Sequence, residues 1–256
     1  MKTLEYLQPE TLEEALEYLE KGVPLAGGTA LTPHRKDMEA VVDLRKLDLD
    51  RMQVEDDWVE IGATTKLQTI VETALEIPHT LREVCKLEAG WNLRNMATIG
   101  GTIMSSDGRS PLLTILLALN TQIVQQPGSI IRSLEELLEI RQKVKLITQI
   151  KFQSPSILLY DRVARAPADF SLVSVAVAYW ESKAEEKVAI TLGGYGEHPI
   201  KLEKTGAVLD QGDGIQSAIE VAREAYRNAG DAWASAEYRS DVAGTLVGRL
   251  LREVVS

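Results

Sequence analysis

Asn92-Leu93-Arg94-Asn95-Met96-Ala97-Thr98-Ile99-Gly100-Gly101 is the stretch whose reading decides how this chain is understood. It closes on Thr98-Ile99-Gly100-Gly101 and runs at once into Thr102. Glycine has no Cβ, reaches φ > 0 without strain and leaves its N–H open to a ligand. N–H groups gathered in a concavity bind anions. Far upstream, Leu25-Ala26-Gly27-Gly28-Thr29 repeats the pattern. Two glycine turns, each ending in Thr, have the chemistry to grip one pyrophosphate from two sides. They are equally what a loop-rich α+β chain uses to turn tightly. The residues alone leave both readings open.

Working outward, Leu4–Leu7 reads as a strand. Thr11 caps a helix over 12–21, with Glu14 completing a capping box and Gly22 ending it. Val23–Ala26 is a short strand feeding the first glycine turn. Val41–Leu44, Met52–Val54 and Trp58–Ala63 are further strands. Helices follow over 66–75 and 78–89, the latter with Cys85 on its apolar side. For Thr64 and Thr65, hydroxyl capping of the first of these helices is one role to expect.

Downstream of the central stretch, Pro111 opens an apolar helix, Leu112–Leu119. A hairpin (122–124 and 129–131) turns at Pro127-Gly128, Ser133 caps a helix over 134–139, and 145–152 is a strand. The pattern changes after Gln153-Ser154-Pro155-Ser156. Leu172–Trp180 and Lys187–Leu192 read as strands, and helices are expected over 215–229 and 240–254. Domains are therefore expected at 1–160 and 161–256, the second an α+β layer.

Composition narrows the function classes. The chain has 256 residues, 45% of them hydrophobic, and a formal charge of −10. That balance argues against a nucleic-acid partner, which requires a basic footprint. Cys85 is the single cysteine, so these residues can form no internal disulfide and cannot ligate an iron–sulfur cluster by themselves. His34, His79 and His198 lack metal-ligand spacing, so no metal site is expected. The charged N-terminal stretch is neither a signal peptide nor a membrane span, and a cytoplasmic location is expected. Gly193-Gly194-Tyr195-Gly196 is followed by Pro199, with no helix starting there, so it lacks the dinucleotide-fold context. A P-loop is missing, and no Ser–His–Asp set can be argued from spacing. Arg239, after Tyr238, is expected to take part in helix capping and surface pairing rather than to act at a site.

Three stretches together resemble the FAD-binding subunits of the molybdenum hydroxylases: PLAGGTALTPHRK (24–36), NLRNMATIGGTIM (92–104) and ASAEYRSDVAGTLVGRLL (234–251). The likeness runs in order and nearly end to end. That family includes the medium subunit of carbon monoxide dehydrogenase and the FAD domain of xanthine dehydrogenase. The resemblance implies an α+β fold: a two-part FAD-binding domain of the vanillyl-alcohol-oxidase/p-cresol-methylhydroxylase type, followed by a C-terminal α+β domain.

It also implies FAD as cofactor, held by Leu25, Ala26, Gly27, Gly28, Thr29, Ala30 and Leu31 and by Thr98, Ile99, Gly100, Gly101 and Thr102. Leu146 and Ile147 match family positions against the flavin ring; ordinary core is the other reading, and it is preferred for Ile147. The GATT-like stretch of Gly62–Thr65 would lie near the cofactor. An Asp usual in the family falls on Pro111, so Asp107 or Ser110 would have to replace it, and a family Lys falls on Asp161 or Arg162.

The implied partners are an iron–sulfur subunit and a molybdopterin subunit, with NAD or another acceptor taking the electrons. No catalytic acid or base is needed in this chain, because the cofactor carries the redox chemistry. The alternatives are a flavin-fold scaffold that has lost FAD and a free-standing FAD oxidoreductase.

Overall fold

The computed structural model describes residues 4–32, 38–181, 187–202 and 214–256. The end of the first resembling stretch, Pro33–Lys36 with His34, lies outside the described residues. The chain opens with β1 (Glu5–Leu7), α1 (Leu12–Tyr18), β2 (Gly22–Leu25), β3 (Ala40–Asp43), β4 (Met52–Glu55) and β5 (Trp58–Gly62). Helices α2 (Leu67–Glu72), α3 (His79–Glu88), α4 (Trp91–Arg94), α5 (Ile99–Ser105) and α6 (Pro111–Ala118) follow. Then come β6 (Gln122–Gln126), β7 (Ile130–Ser133), α7 (Leu134–Ile140), β8 (Leu146–Gln153) and β9 (Ile157–Ala164). The rest is β10 (Ser171–Trp180), β11 (Lys187–Gly193), β12 (Ile200–Lys201), α8 (Gly214–Ala225) and α9 (Ala236–Val254).

Two compact units result, each assembled from separate pieces of chain. The first comprises Met1–Glu76, Ala89–Ser105 and Thr121–Phe152, and the second Ile77–Glu88, Ser106–Asn120 and Gln153–Ser256.

In the first unit, β1, β3 and β2 form a small parallel sheet, with β3 central and buried along its whole length. A second sheet runs in the order β4-β5-β8-β6-β7. Helix α1 packs Ala15 against Val42, Leu44 and Leu146, so one apolar cluster joins residues of both sheets. Thr11 caps α1 as expected, accepting from the Glu14 N–H at 3.2 Å. The Glu14 carboxylate, however, accepts from the N–H of Glu10, one residue before the cap, so that box is half formed. At α7 both arms of the Ser133/Glu136 box are present. Gly22, expected to end α1, is the first residue of β2.

In the second unit, β12-β11-β10-β9 is an antiparallel sheet. Alternation along β10 sends Val173, Val175 and Val177 toward α8 and α9, where they meet Ala222, Leu246, Val247 and Leu250. The leucines and valines of the C-terminal helix are therefore core. Helix α6 also lies against β10 and β11, where Thr191 Oγ1 donates to the Thr114 carbonyl at 2.8 Å. Strand β9 follows the stretch Gln153–Ser156, after which the sequence pattern changes, and Asp161-Arg162 interrupts its apolar residues. It is an edge strand, and Asp161 pairs there with Arg249 of α9.

Two polar groups of this unit satisfy backbone groups of other elements, and the first departs from expectation. Arg239 is 1% exposed and is not a surface residue. It sits in the first turn of α9, which starts at Ala236 under a Ser235 cap. Its guanidinium donates to the carbonyls of Leu172 and Gly194, pairs with Asp231 at 2.8 Å and lies over the Tyr195 ring. Gly194 turns the chain at φ +104° and leaves its carbonyl without a ladder partner, and Arg239 supplies the donor.

The second group is Glu88, at the end of α3, whose carboxylate accepts from Ser110 Oγ at 2.8 Å and from the Leu112 N–H at 3.0 Å. Burial raises its pKa above the usual carboxylate range against the pull of those hydrogen bonds. Cys85 is buried core, as expected. Among the described residues no helix is long and apolar enough to cross a membrane, and no group of three or more His, Cys, Asp or Glu could hold a metal ion.

Candidate functional site

The two glycine pairs reach one cavity by different local chemistry. After β2, Gly28 adopts φ +71°, the left-handed conformation that a Cβ disfavours. Its carbonyl accepts from both the N–H and the hydroxyl of Thr32, at 3.1 and 2.7 Å, which closes one helical turn. The N–H groups of Thr29, Ala30 and Leu31 fall inside that turn, where a helix has no internal acceptor to offer. Among the described residues none stands against them. Gly27 meets a different demand: a Cβ there would fall on the backbone of Met96 and Ala97.

Gly100 and Gly101 do not form the open turn that their sequence suggests. They lie in the first turn of α5 with helical backbone, and Thr98 caps it by accepting from the Gly101 N–H at 3.2 Å. Every N–H of this segment is committed. Ile99 donates to the Thr65 carbonyl and Gly100 to the Ala63 carbonyl, each at 2.9 Å, and Thr102 donates to Thr98. The physical reason is the isolated bridge between Lys66 and Thr98, which lays the chain before α5 along the chain before α2. Gly100 is glycine because a Cβ would stand 2.7 Å from the Ala63 carbonyl oxygen.

Between these segments lies a cavity of about 460 Å³, within the range typical of small-molecule sites. Every residue lining it belongs to the first unit. Of the expected site residues, Ala26, Gly27, Gly28, Thr29, Ala30, Leu31, Thr98, Gly100, Gly101, Leu146 and Ile147 line it. Leu25, Ile99 and Thr102 do not; Ile99 and Thr102 are buried and support α5 from behind.

Asp107 and Ser110 belong to the second unit and are not among the lining residues. The Ser110 hydroxyl is committed, accepting from Leu113 N–H at 3.0 Å and donating to Glu88. Asp107 accepts from the Arg109 N–H at 2.9 Å. Pro111 is the first residue of α6, and a carboxylate still meets that helix start, from Glu88.

Thr64 lines the cavity, but neither it nor Thr65 caps α2: Lys66 occupies that position without a side-chain bond. The Thr65 hydroxyl is buried without a partner among the described residues. Leu44 lines the cavity one residue after Asp43, whose carboxyl, although burial opposes it, is held down to about 2 by bonds from Arg45 and Tyr6.

Sequence reading missed one wall altogether. Arg141, Gln142, Val144 and Lys145, in and after the short helical turn between α7 and β8, line the cavity, as do Met104 and Ser105 of α5. The available signal was the basic run Arg141-Gln142-Lys143-Val144-Lys145 in an acidic chain.

The donor set fits a ligand that is anionic at one part and apolar at another. Free N–H groups and two cationic side chains line the cavity together with Leu44, Leu146, Ile147 and Met104, and among the described residues no carboxylate lines it.

Comparison with known proteins agrees with that chemistry. Residues 2–151 match the family described as FAD binding domain in molybdopterin dehydrogenase, and residues 159–254 match the CO dehydrogenase flavoprotein C-terminal domain. The chain is similar to the Escherichia coli K12 protein YgfM, itself uncharacterized, at 29% identity over 96% of this chain and 94% of the relative. It is equally similar to the glyceraldehyde dehydrogenase medium chain of Sulfolobus acidocaldarius, at 29% identity over 97% of each. Among solved structures, reconstituted CO dehydrogenase from Oligotropha carboxidovorans aligns with a TM-score of 0.81 and 25% identity, covering 96% of each chain.

Proposed function

The chain belongs to the FAD-binding family of the molybdopterin dehydrogenases, and we propose that it is the electron-transfer subunit of a molybdopterin-dependent hydroxylase or dehydrogenase complex. FAD is the cofactor of this family, and its flavin supplies the redox chemistry when bound. The observation that carries the reading is the cavity of the first unit where, among the described residues, the N–H groups of Thr29–Leu31 at one wall meet no acceptor and the lining holds no carboxylate.

In this reading the pyrophosphate is met by the loop Ala26–Leu31 and backed by Thr98–Gly101. Leu44, Met104, Leu146 and Ile147 exclude water from the apolar part. The division into an FAD-binding domain, 1–160, and a C-terminal domain, 161–256, belongs to the same reading.

Electrons would arrive from an iron–sulfur subunit served by a molybdopterin subunit, and leave to NAD or another acceptor. Two features support partners of this kind. These 256 residues carry one cysteine, too few for a cluster. The segment around α4, whose Met96 and Ala97 back the first glycine loop, exposes Trp91 at 62%, Leu93 at 55% and Met96 at 54%. Large apolar side chains so exposed mark interaction surfaces.

The test is the absorption spectrum of the purified full chain, with the released cofactor identified after denaturation. FAD in near-stoichiometric amount is expected. A colourless chain that takes up no added FAD would leave the scaffold alternative, and turnover of an organic substrate by the isolated chain would leave the free-standing oxidoreductase.

A further inference from the structure

We propose that Arg141 and Lys145 carry the counter-charge for the pyrophosphate of bound FAD, a role that rests on the reading of the cavity given above. The chain as a whole is strongly acidic, at −10, yet among the described residues the charged side chains lining the cavity are these two cations. Burying an anion without compensating charge is costly. The second glycine pair cannot provide that compensation, because the N–H groups of Ile99 to Thr102 already donate to Thr65, Ala63 and Thr98. The first loop offers neutral N–H donors only.

Arg141 is held at the wall by its bond to the Ile103 carbonyl of α5, at 3.1 Å. A guanidinium carries five N–H donors in a planar fork matched to phosphate oxygens. Lys145 pairs with Glu20, but that pair is 41% and 63% exposed at its two side chains. Exposed pairs of this kind are weak, so a phosphate can compete for the ammonium. The basic run between α7 and β8 would thus make the site selective for a phosphorylated flavin over an uncharged one.

The experiment titrates the deflavinated full chain with FAD and with riboflavin, which has the same ring and no phosphate. Arg141→Met and Lys145→Met should each weaken FAD about ten- to hundredfold, as loss of a charge-assisted bond does, and leave riboflavin unchanged. Arg141→Lys should recover part of the loss. Glu20→Gln, which frees Lys145, should tighten FAD at low salt. In the unaltered chain, FAD affinity should fall with salt more steeply than riboflavin affinity.

Equal weakening of both ligands, or equal salt dependence in the unaltered chain, would overturn the proposal. Unchanged FAD affinity in the Arg141 and Lys145 variants, with Gly28→Val releasing the flavin, would overturn it while the cavity reading stood. Unchanged FAD affinity in Gly28→Val as well would remove the cavity reading and this proposal together.

Discussion

The loop at Gly27-Gly28 and the helix start at Gly100-Gly101 look alike in sequence, and both border the cavity. At the first, Gly28 takes φ +71° and the following N–H groups meet no acceptor among the described residues. At the second, the backbone is helical and every N–H is spent inside the protein. Gly100 is there for thinness, because Ala63 leaves no room for a side chain. A Gly-Gly-Thr motif therefore does not state its own purpose. The same two residues can free donors or bring two backbones together, and the partner across the contact decides which.

The difference can be broken most severely at Gly27. Gly27→Val sets a branched side chain on the Met96–Ala97 backbone, so the loop or the start of α5 must move. A loss of about 3 kcal/mol in urea denaturation, with loss of flavin, is expected. Gly28→Val meets strain rather than collision, and its stability loss should be nearer about 1–2 kcal/mol, again without flavin. If both variants keep full flavin and full stability, the first loop is not the binding loop.

The comparison sharpens inside the second pair. A Cβ at Gly100 meets the Ala63 backbone, whereas one at Gly101 meets only the Thr98 hydroxyl, at 2.9 Å. Gly100→Ala should cost about 1–3 kcal/mol. Gly101→Ala should leave stability level or raise it by up to about 1 kcal/mol, since Ala favours helix over Gly. It should still weaken FAD, because Gly101 lines the cavity. Calorimetry with flavin titration on the two variants separates these outcomes, and equal stability losses would refute the division of labour.

The smallest effect concerns a third helix start. The first turn of α6 is met by Ser110 and by the Glu88 carboxyl group, an acceptor that the protein supplies itself. Because burial raises the pKa of Glu88, the folded state holds its proton more tightly than the unfolded chain does. Its stabilising contribution is complete below the ordinary carboxylate range and is lost as pH rises through the raised value. Glu88→Gln keeps an acceptor for Ser110 and Leu112 without a charge. Denaturation curves from pH 4 to 8 should show a flatter pH dependence in that variant, and an unchanged slope would show that Glu88 is not the group responsible.

Much of this was legible beforehand because it is local. The capping of α1 and α7, proline at the first position of α6, the hairpin at Pro127-Gly128 and the strand over 172–180 follow from a few neighbouring residues each. Chain order of the resembling stretches carried the α+β class and FAD.

Long-range contacts decided the rest. Only the fold lays Gly27 on Met96 and Gly100 on Ala63, so only it could assign different tasks to the two glycine pairs. Only the fold turned Arg239 inward, because the carbonyls it satisfies lie far off in the chain, at Leu172 in β10 and at Gly194 just after β11. And only the fold brought Arg141 and Lys145 to the wall of a cavity whose glycine loop lies far earlier in the chain. Periodicity and turn chemistry specify elements; which side chains share a solvent-excluded space depends on how distant elements pack, and no local pattern encodes that.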